Sequence, residues 1–247
     1  MARRSLAGKT VLLTGGGSGI GAATARFLSQ AGAIVIITGR TESKLKEVCA
    51  GLGEETRVRY RVCDGREPKQ VAECVQWVSD QFGGRLDLLV NNAGVNLKDR
   101  SARKLTPETW RYTIQANLDS AFFFIHAALP VMTAQGGGLI ININSVAGKR
   151  ATKLSGAAYC ASKFGMAALS HSVGVEEREN RIRTTSIFPG EVDTPILDQR
   201  PEPVPLERRQ QILQPEDVAE AVLFVATLPD RVSIPELLIM PANQPYA

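Results

Sequence analysis

The chain has 247 residues, 44% of them hydrophobic, with 29 basic against 25 acidic side chains and a formal charge of +4. That length supports one substantial core, and a charge so mild and evenly spread argues against a nucleic-acid partner. Cys49, Cys63, Cys74 and Cys160 make no C-x-x-C pair, and His126 and His171 are the only histidines, so no metal site is expected. Reduced thiols fit a cytoplasmic protein. Met1-Ala2-Arg3-Arg4 is basic, but no apolar signal core follows, so no export signal is read there. Residues 120–148 lack Asp, Glu, Lys and Arg, yet their apolar core, 121–132, is too short to cross a bilayer. No membrane partner is expected.

Residues 10–14 are a short apolar run that reads as a buried strand. Gly15-Gly16-Gly17-Ser18-Gly19-Ile20-Gly21 follows, and a helix is predicted over 22–31. Strand, glycine turn and helix form the context in which such glycines signal dinucleotide binding. Backbone amides free of Cβ atoms can approach a pyrophosphate, and a helix start favours its charge. Gly15, Gly17, Ser18, Gly19, Ile20 and Gly21 are the candidate cofactor contacts. A second strand spans 34–38, with Gly39 and Arg40 at its carboxyl end. An acid there would bind the ribose 2′-hydroxyl of NAD; an arginine suits the 2′-phosphate of NADP. This position favours NADP(H) over NAD(H), against the alternative of an ordinary exposed arginine.

A helix over 41–51 and a third strand over 57–63 lead to Asp64. Asp64 can accept from an adenine amino group, or cap the helix that opens near Glu67-Pro68 and runs to about 82. The fourth strand, 86–90, ends at Asn91-Asn92-Ala93-Gly94. Small residues at a strand end let a cofactor pass close to backbone, so Asn91, Ala93 and Gly94 join the candidates. Thr106-Pro107 opens a long helix, as cap and first residue, reaching about 133. Asn117 falls on it among apolar neighbours, and a buried Asn needs partners.

The fifth strand, 139–144, ends at Ser145, and a helix follows over 158–179. Tyr159 and Lys163 stand one turn apart on it and share a face. A tyrosine titrates near ~10, too high for a base at neutral pH. A lysine ammonium nearby favours the phenolate, so the pair can exchange a proton with an alcohol or carbonyl oxygen. The sixth strand, 182–188, ends in Pro189-Gly190, with Val192 and Thr194 just beyond.

Residues 194–214 are rich in proline and charge and read as a mobile loop or lid over the substrate. The loop has no aromatic residue, which disfavours large flat substrates. Arg200, Arg208 or Arg209 could fork a substrate carboxylate, or pair with Glu202, Glu207 or solvent. A helix over 214–228 and a last strand over 236–240 precede a short polar tail. The alternation predicts a single-domain α/β fold: a Rossmann-type, doubly wound parallel sheet of about seven strands with helices on both faces.

In this order and spacing, Thr14-Gly15-x-x-x-Gly19-x-Gly21, Asn91-Asn92-Ala93-Gly94, Asn117, Ser145, Tyr159-x-x-x-Lys163 and Pro189-Gly190-x-Val192-x-Thr194 resemble the short-chain dehydrogenase/reductase family over nearly the whole chain. The resemblance implies that Tyr159 is the general acid/base and that Lys163 holds the nicotinamide ribose and lowers the tyrosine pKa. It implies that Ser145 bonds the substrate oxygen and that Asn117 holds a proton-relaying water. Pro189, Gly190, Val192 and Thr194 would bind the nicotinamide carboxamide.

The ending, without the Asp-Gly-Gly of many relatives, is similar to the NADP-dependent 3-hydroxy acid and serine dehydrogenases of the family. The implied reaction is hydride transfer between nicotinamide and a secondary alcohol or ketone, with a small 3-hydroxy acid as substrate. The alternatives are a 3-oxoacyl-thioester reductase, or a sensor that binds cofactor without catalysis. Family likeness also implies a homo-oligomer, a tetramer or dimer, built through the two long helices.

Overall fold

A computed structural model describes residues 5–53 and 56–244. The basic Met1–Arg4 stretch and the end of the polar tail lie outside them. In chain order the elements are β1 (Thr10–Thr14), α1 (Gly19–Gln30), β2 (Ile34–Gly39), α2 (Glu42–Leu52), β3 (Val58–Val62), α3 (Pro68–Gln81), β4 (Leu88–Asn91), α4 (Pro107–Ile114), α5 (Ser120–Ala134), β5 (Gly138–Ile143), α6 (Ala157–Glu176), β6 (Ile182–Pro189), α7 (Leu206–Arg209), α8 (Pro215–Ala226) and β7 (Glu236–Ile239). Among the described residues no helix is long and apolar enough to cross a membrane.

All strands are parallel, in the order β3-β2-β1-β4-β5-β6-β7. Strands buried on both faces need apolar residues at successive positions, which explains the continuous Val/Ile/Leu runs. Alternate residues then serve opposite layers. Val11, Leu13, Val35 and Ile37 pack towards α1 and α8 with Leu28, Val218 and Val222. Leu12, Ile36 and Leu89 pack the other way, on Val75, Phe124 and Ile125 of α3 and α5. The strand order reverses between β1 and β4, and a crevice opens there at the carboxyl ends, where such sheets bind ligands.

Two expectations are revised. The long helix over 107–133 is broken. Thr106 caps α4 through a box with Thr109, as its sequence suggests, but Gln115–Asp119 winds into a π-helical turn before α5. A wider turn of this kind is rare and concentrates at functional sites, and Asn117 sits at its centre. Second, the loop over 194–214 is folded. It holds a 3-10 turn (Pro195–Gln199) and α7, and Val192 bridges Leu213 in parallel. That bridge ties both ends of the loop to the tip of β6. Proline content suggested a free loop because a sequence does not show the pairing partners that anchor it.

Candidate active site

The crevice is a single cleft of about 790 Å³ at the carboxyl ends of the strands. At one end stands the glycine turn. Gly15 has a positive φ of 66°, and a Cβ there would lie 2.8 Å from the Ala93 Cα. A Cβ on Gly21 would lie 2.2 Å from the Gly15 carbonyl oxygen. The helix begins at Gly19, three residues before the predicted start, so its first turn faces the cleft with no side-chain cap from Ser18. These amides and the helix dipole suit a diphosphate. Gly17, Ser18, Gly19 and Ile20 line the cleft; Gly21 lies beneath it, where only a glycine lets α1 meet the turn.

β4 is stitched to this turn. The Thr14 hydroxyl accepts from the amides of Asn92 and Ala93, each at 3.0 Å. Asn92 Nδ2 donates to the carbonyls of Thr14 and Gly15. Ala93 and Gly94 line the cleft as expected, but the Asn91 side chain does not. It points into the sheet and donates to Asn142 Oδ1 at 2.9 Å. The tip of a strand turns alternate residues in opposite directions, so the neighbour Asn92 takes the cleft-side position.

Arg40 is exposed at the tip of β2, lines the cleft and makes no ion pair among the described residues. Lys44, in the first turn of α2, lines the same wall and adds a second cation that sequence reading missed. Asp64 also lines the cleft, but its carboxylate is forked by Arg66, with Nε at 3.0 Å and Nη2 at 2.5 Å. That guanidinium holds the Asp64 carboxyl below its usual range. The cap of α3 is Glu67, so Asp64 makes an Asx-type turn to the Arg66 amide instead of capping the helix.

The other end of the cleft holds Ser145, Tyr159 and Lys163. Ser145 lies two residues beyond β5 and caps a short 3-10 turn, accepting from the Ala147 amide at 3.1 Å. Tyr159 enters on the first turn of α6, and Lys163 follows one turn on. Lys163 is 3% exposed, and its Nζ donates to the Ile143 carbonyl at 2.9 Å. Burial without a carboxylate lowers its pKa to about 8.

Burial also raises the Tyr159 pKa; the Ser145 hydroxyl facing the phenol and the charge of Arg100 pull it partly back. The lowering of the phenol expected from the neighbouring lysine runs opposite to the direction that burial gives. The reason is desolvation, which disfavours the phenolate and the ammonium alike.

Asn117 is fully buried. Its Oδ1 accepts from the Val95 amide at 2.7 Å, and its Nδ2 donates to the Val95 carbonyl and to Ser162 Oγ, each at 3.0 Å. The Ser162 hydroxyl in turn donates to the Tyr159 carbonyl at 2.8 Å. The side-chain amide is thus engaged in tying the β4–α4 loop to α6. Pro189, the last residue of β6, and Gly190, Val192 and Thr194 beyond it line this wall, with Thr194 against Gly19.

The loop arginines do not stand free. Arg200 and Arg208 both bind Glu191, at 2.5 and 2.8 Å, and Arg209 binds Asp193 and Asp198. Glu202 and Glu207, the partners suggested by sequence, form no ion pair among the described residues. The partners are instead Glu191 and Asp193, just beyond the tip of β6, and Asp198 of the 3-10 turn within the loop.

A glycine cradle, a tyrosine and a buried lysine in the same cleft, and a doubly wound sheet together define a dinucleotide-dependent enzyme. Residues 9–204 match the family model of the short chain dehydrogenases, and the chain belongs to that family of oxidoreductases. It is 34% identical over 236 residues to an uncharacterized oxidoreductase of Staphylococcus aureus (strain MRSA252), covering 96% of this chain and 98% of that protein. Among solved structures it is similar to a metagenomic short-chain oxidoreductase in complex with NADP (33% identity, TM-score 0.83, 97% and 99% of the two chains covered). It is also similar to the closed form of a serine dehydrogenase complexed with NADP+ (32% identity, TM-score 0.86, 96% and 97% covered).

Proposed function

We propose that this protein is an NADP(H)-dependent oxidoreductase acting on a secondary alcohol or its ketone, with small 3-hydroxy acids as the substrate class and Tyr159 as general acid/base. The observation that carries the reading is the convergence of Ser145, Tyr159 and Lys163 in the same cleft as the glycine cradle and Arg40. The nicotinamide, when bound, gives or takes the hydride. Tyr159 holds a proton at its hydroxyl at neutral pH and delivers it to the substrate oxygen during reduction. Ser145 orients that oxygen. Lys163 holds the ribose and restrains the phenol from below. Asn117 keeps the β4–α4 loop and α6 in register and serves the proton relay. Pro189, Gly190, Val192 and Thr194 seat the carboxamide. Likeness to the serine dehydrogenase supports a small hydroxy acid. The test is NADPH absorbance against a panel of ketones, 3-oxo acids and their alcohols; no turnover on any of them refutes the reading.

Arg40 and Lys44 receive the 2′-phosphate. A charge-assisted hydrogen bond is worth about 1.5–3 kcal/mol, more than tenfold in affinity. Arg40→Ala is therefore expected to weaken NADPH binding by at least that factor while NADH binding stays level. Side-by-side titrations of nucleotide fluorescence check it, and a wild type that prefers NADH overturns it.

The assembly is a homo-oligomer, a tetramer, in the cytoplasm. Phe122 on α5 is 46% exposed and Phe164 on α6 is 44% exposed, apolar surface on the two helices expected at the interfaces. Light scattering is expected to give a mass of several copies, reduced by Phe164→Asp. A monomeric wild type counts against it.

A further inference from the structure

One buried cation in the cleft has no role in the chemistry above. Arg100, in the β4–α4 loop, is 8% exposed and lines the cleft at the Tyr159 end. No carboxylate faces it among the described residues. Its guanidinium is held by backbone carbonyls instead: Nε donates to Leu97 at 2.5 Å, Nη1 to Leu154 at 3.1 Å, and Nη2 to Gln199. Those carbonyls belong to the β4–α4 loop, the β5–α6 loop and the loop beyond β6. The Arg100 carbonyl accepts from the Ala157 amide, the first residue of α6. Gly156, at a φ of +80°, lies so close that a Cβ would meet the Arg100 carbonyl oxygen at 2.4 Å. Arg100 is therefore fixed against the helix that carries Tyr159.

Carbonyl dipoles hold a buried guanidinium in place but leave its charge uncancelled. Arginine has five N–H groups, and the carbonyls engage one on each nitrogen, which leaves one free on each Nη. The neighbourhood is cationic too. Arg200 and Arg208 share the single carboxylate of Glu191, the only acid lining this end of the cleft among the described residues. Arg100 feels the repulsion of Arg200, and its charge reaches the Tyr159 hydroxyl. A cleft with surplus positive charge beside the reacting oxygen is built for an anion.

We propose that Arg100 receives the carboxylate of the substrate through its two remaining N–H groups, so that the substrate is a hydroxy or oxo acid anchored beside Tyr159. This rests on the hydride-transfer reading of the cleft and gives it an anchor. The role expected of the loop arginines passes to Arg100, since Arg200, Arg208 and Arg209 are already bound to acids of the same region.

The test compares 3-hydroxybutanoate with its methyl ester as substrates of the full-length enzyme with NADP+. Wild type is expected to favour the acid by about tenfold or more in kcat/KM. Arg100→Met is expected to erase that preference through KM, Arg100→Lys to restore part of it, and Arg209→Ala to leave it unchanged. Equal use of acid and ester by wild type overturns the carboxylate anchor and leaves hydride transfer intact. So does an Arg100→Met enzyme that keeps the preference. If Arg100→Met fails to fold, the wild-type and Arg100→Lys comparisons still decide. If no substrate of any kind turns over, the functional reading fails. Calorimetric titration of 3-hydroxybutanoate into wild type then judges the anchor alone: binding that Arg100→Lys weakens supports it, and no binding overturns it.

Discussion

Tyr159→Phe is expected to lose about 10²–10⁴ of turnover, the range that a positioned general acid or base supplies. The ring stays half-buried in the same wall, so fold and nucleotide affinity are expected to stay near wild type. Only the ionisable oxygen is removed. The direction of its pKa adds a pH signature. Burial raises the phenol, so it stays protonated through neutral pH and is ready to donate in reduction. In alcohol oxidation the same group must first lose its proton. Oxidation is therefore expected to rise with pH through the alkaline range, while reduction falls. Stopped-flow rates on both directions, with wild type and Tyr159→Phe, check this. Near-normal turnover of the variant would remove Tyr159 from the mechanism.

Lys163→Met is expected to abolish activity yet stabilise the nucleotide-free protein. The buried ammonium has its pKa lowered from 10.5 to about 8. At about 1.36 kcal/mol per unit, that depression costs the folded state roughly 3 kcal/mol at neutral pH. Loss of the ammonium's charge-assisted bond to the Ile143 carbonyl returns about 1.5–3 kcal/mol of that gain, so at most about 1.5 kcal/mol remains. The sign with pH follows from proton uptake. Between about 8 and 10.5 the unfolded lysine binds more protons than the folded one, so wild-type stability rises with pH across that window relative to the variant. The advantage of Lys163→Met is thus full below about 8 and shrinks towards 10.5. Urea titrations at several pH values measure it. A variant less stable than wild type at neutral pH would show that the ammonium is not strained. Such a cost at an active site is the usual trade of stability for function.

Much of the candidate site was legible because its parts are local. A glycine turn between an apolar run and a helix carries its own context, and residues 15–21 occupy the place that the pattern assigns. Tyr159 and Lys163 needed only helical spacing to share a face. Arg40 needed only its position after β2. Arg100 was invisible, because its meaning lies in carbonyls from three loops, Leu97, Leu154 and Gln199, far apart in sequence. The π-helical turn was invisible for a related reason. Gln115–Asp119 has no unusual composition, and what holds Asn117 is Val95 and Ser162 from other elements.

Local patterns along the chain specify the doubly wound sheet and the places of the glycine turn and of the Tyr159–Lys163 pair. Those follow from short continuous apolar runs, from the 3.6-residue helical period and from glycine's missing Cβ, which are short-range properties of the chain. The tertiary structure alone decided ionisation and pairing. It buried Lys163 and raised Tyr159, turned Asn91 into the sheet, gave Arg200 and Arg208 to Glu191, and left Arg100 with uncancelled charge. Desolvation and charge pairing depend on which groups lie within a few ångströms in space, and that neighbourhood is assembled from segments that the linear chain keeps apart.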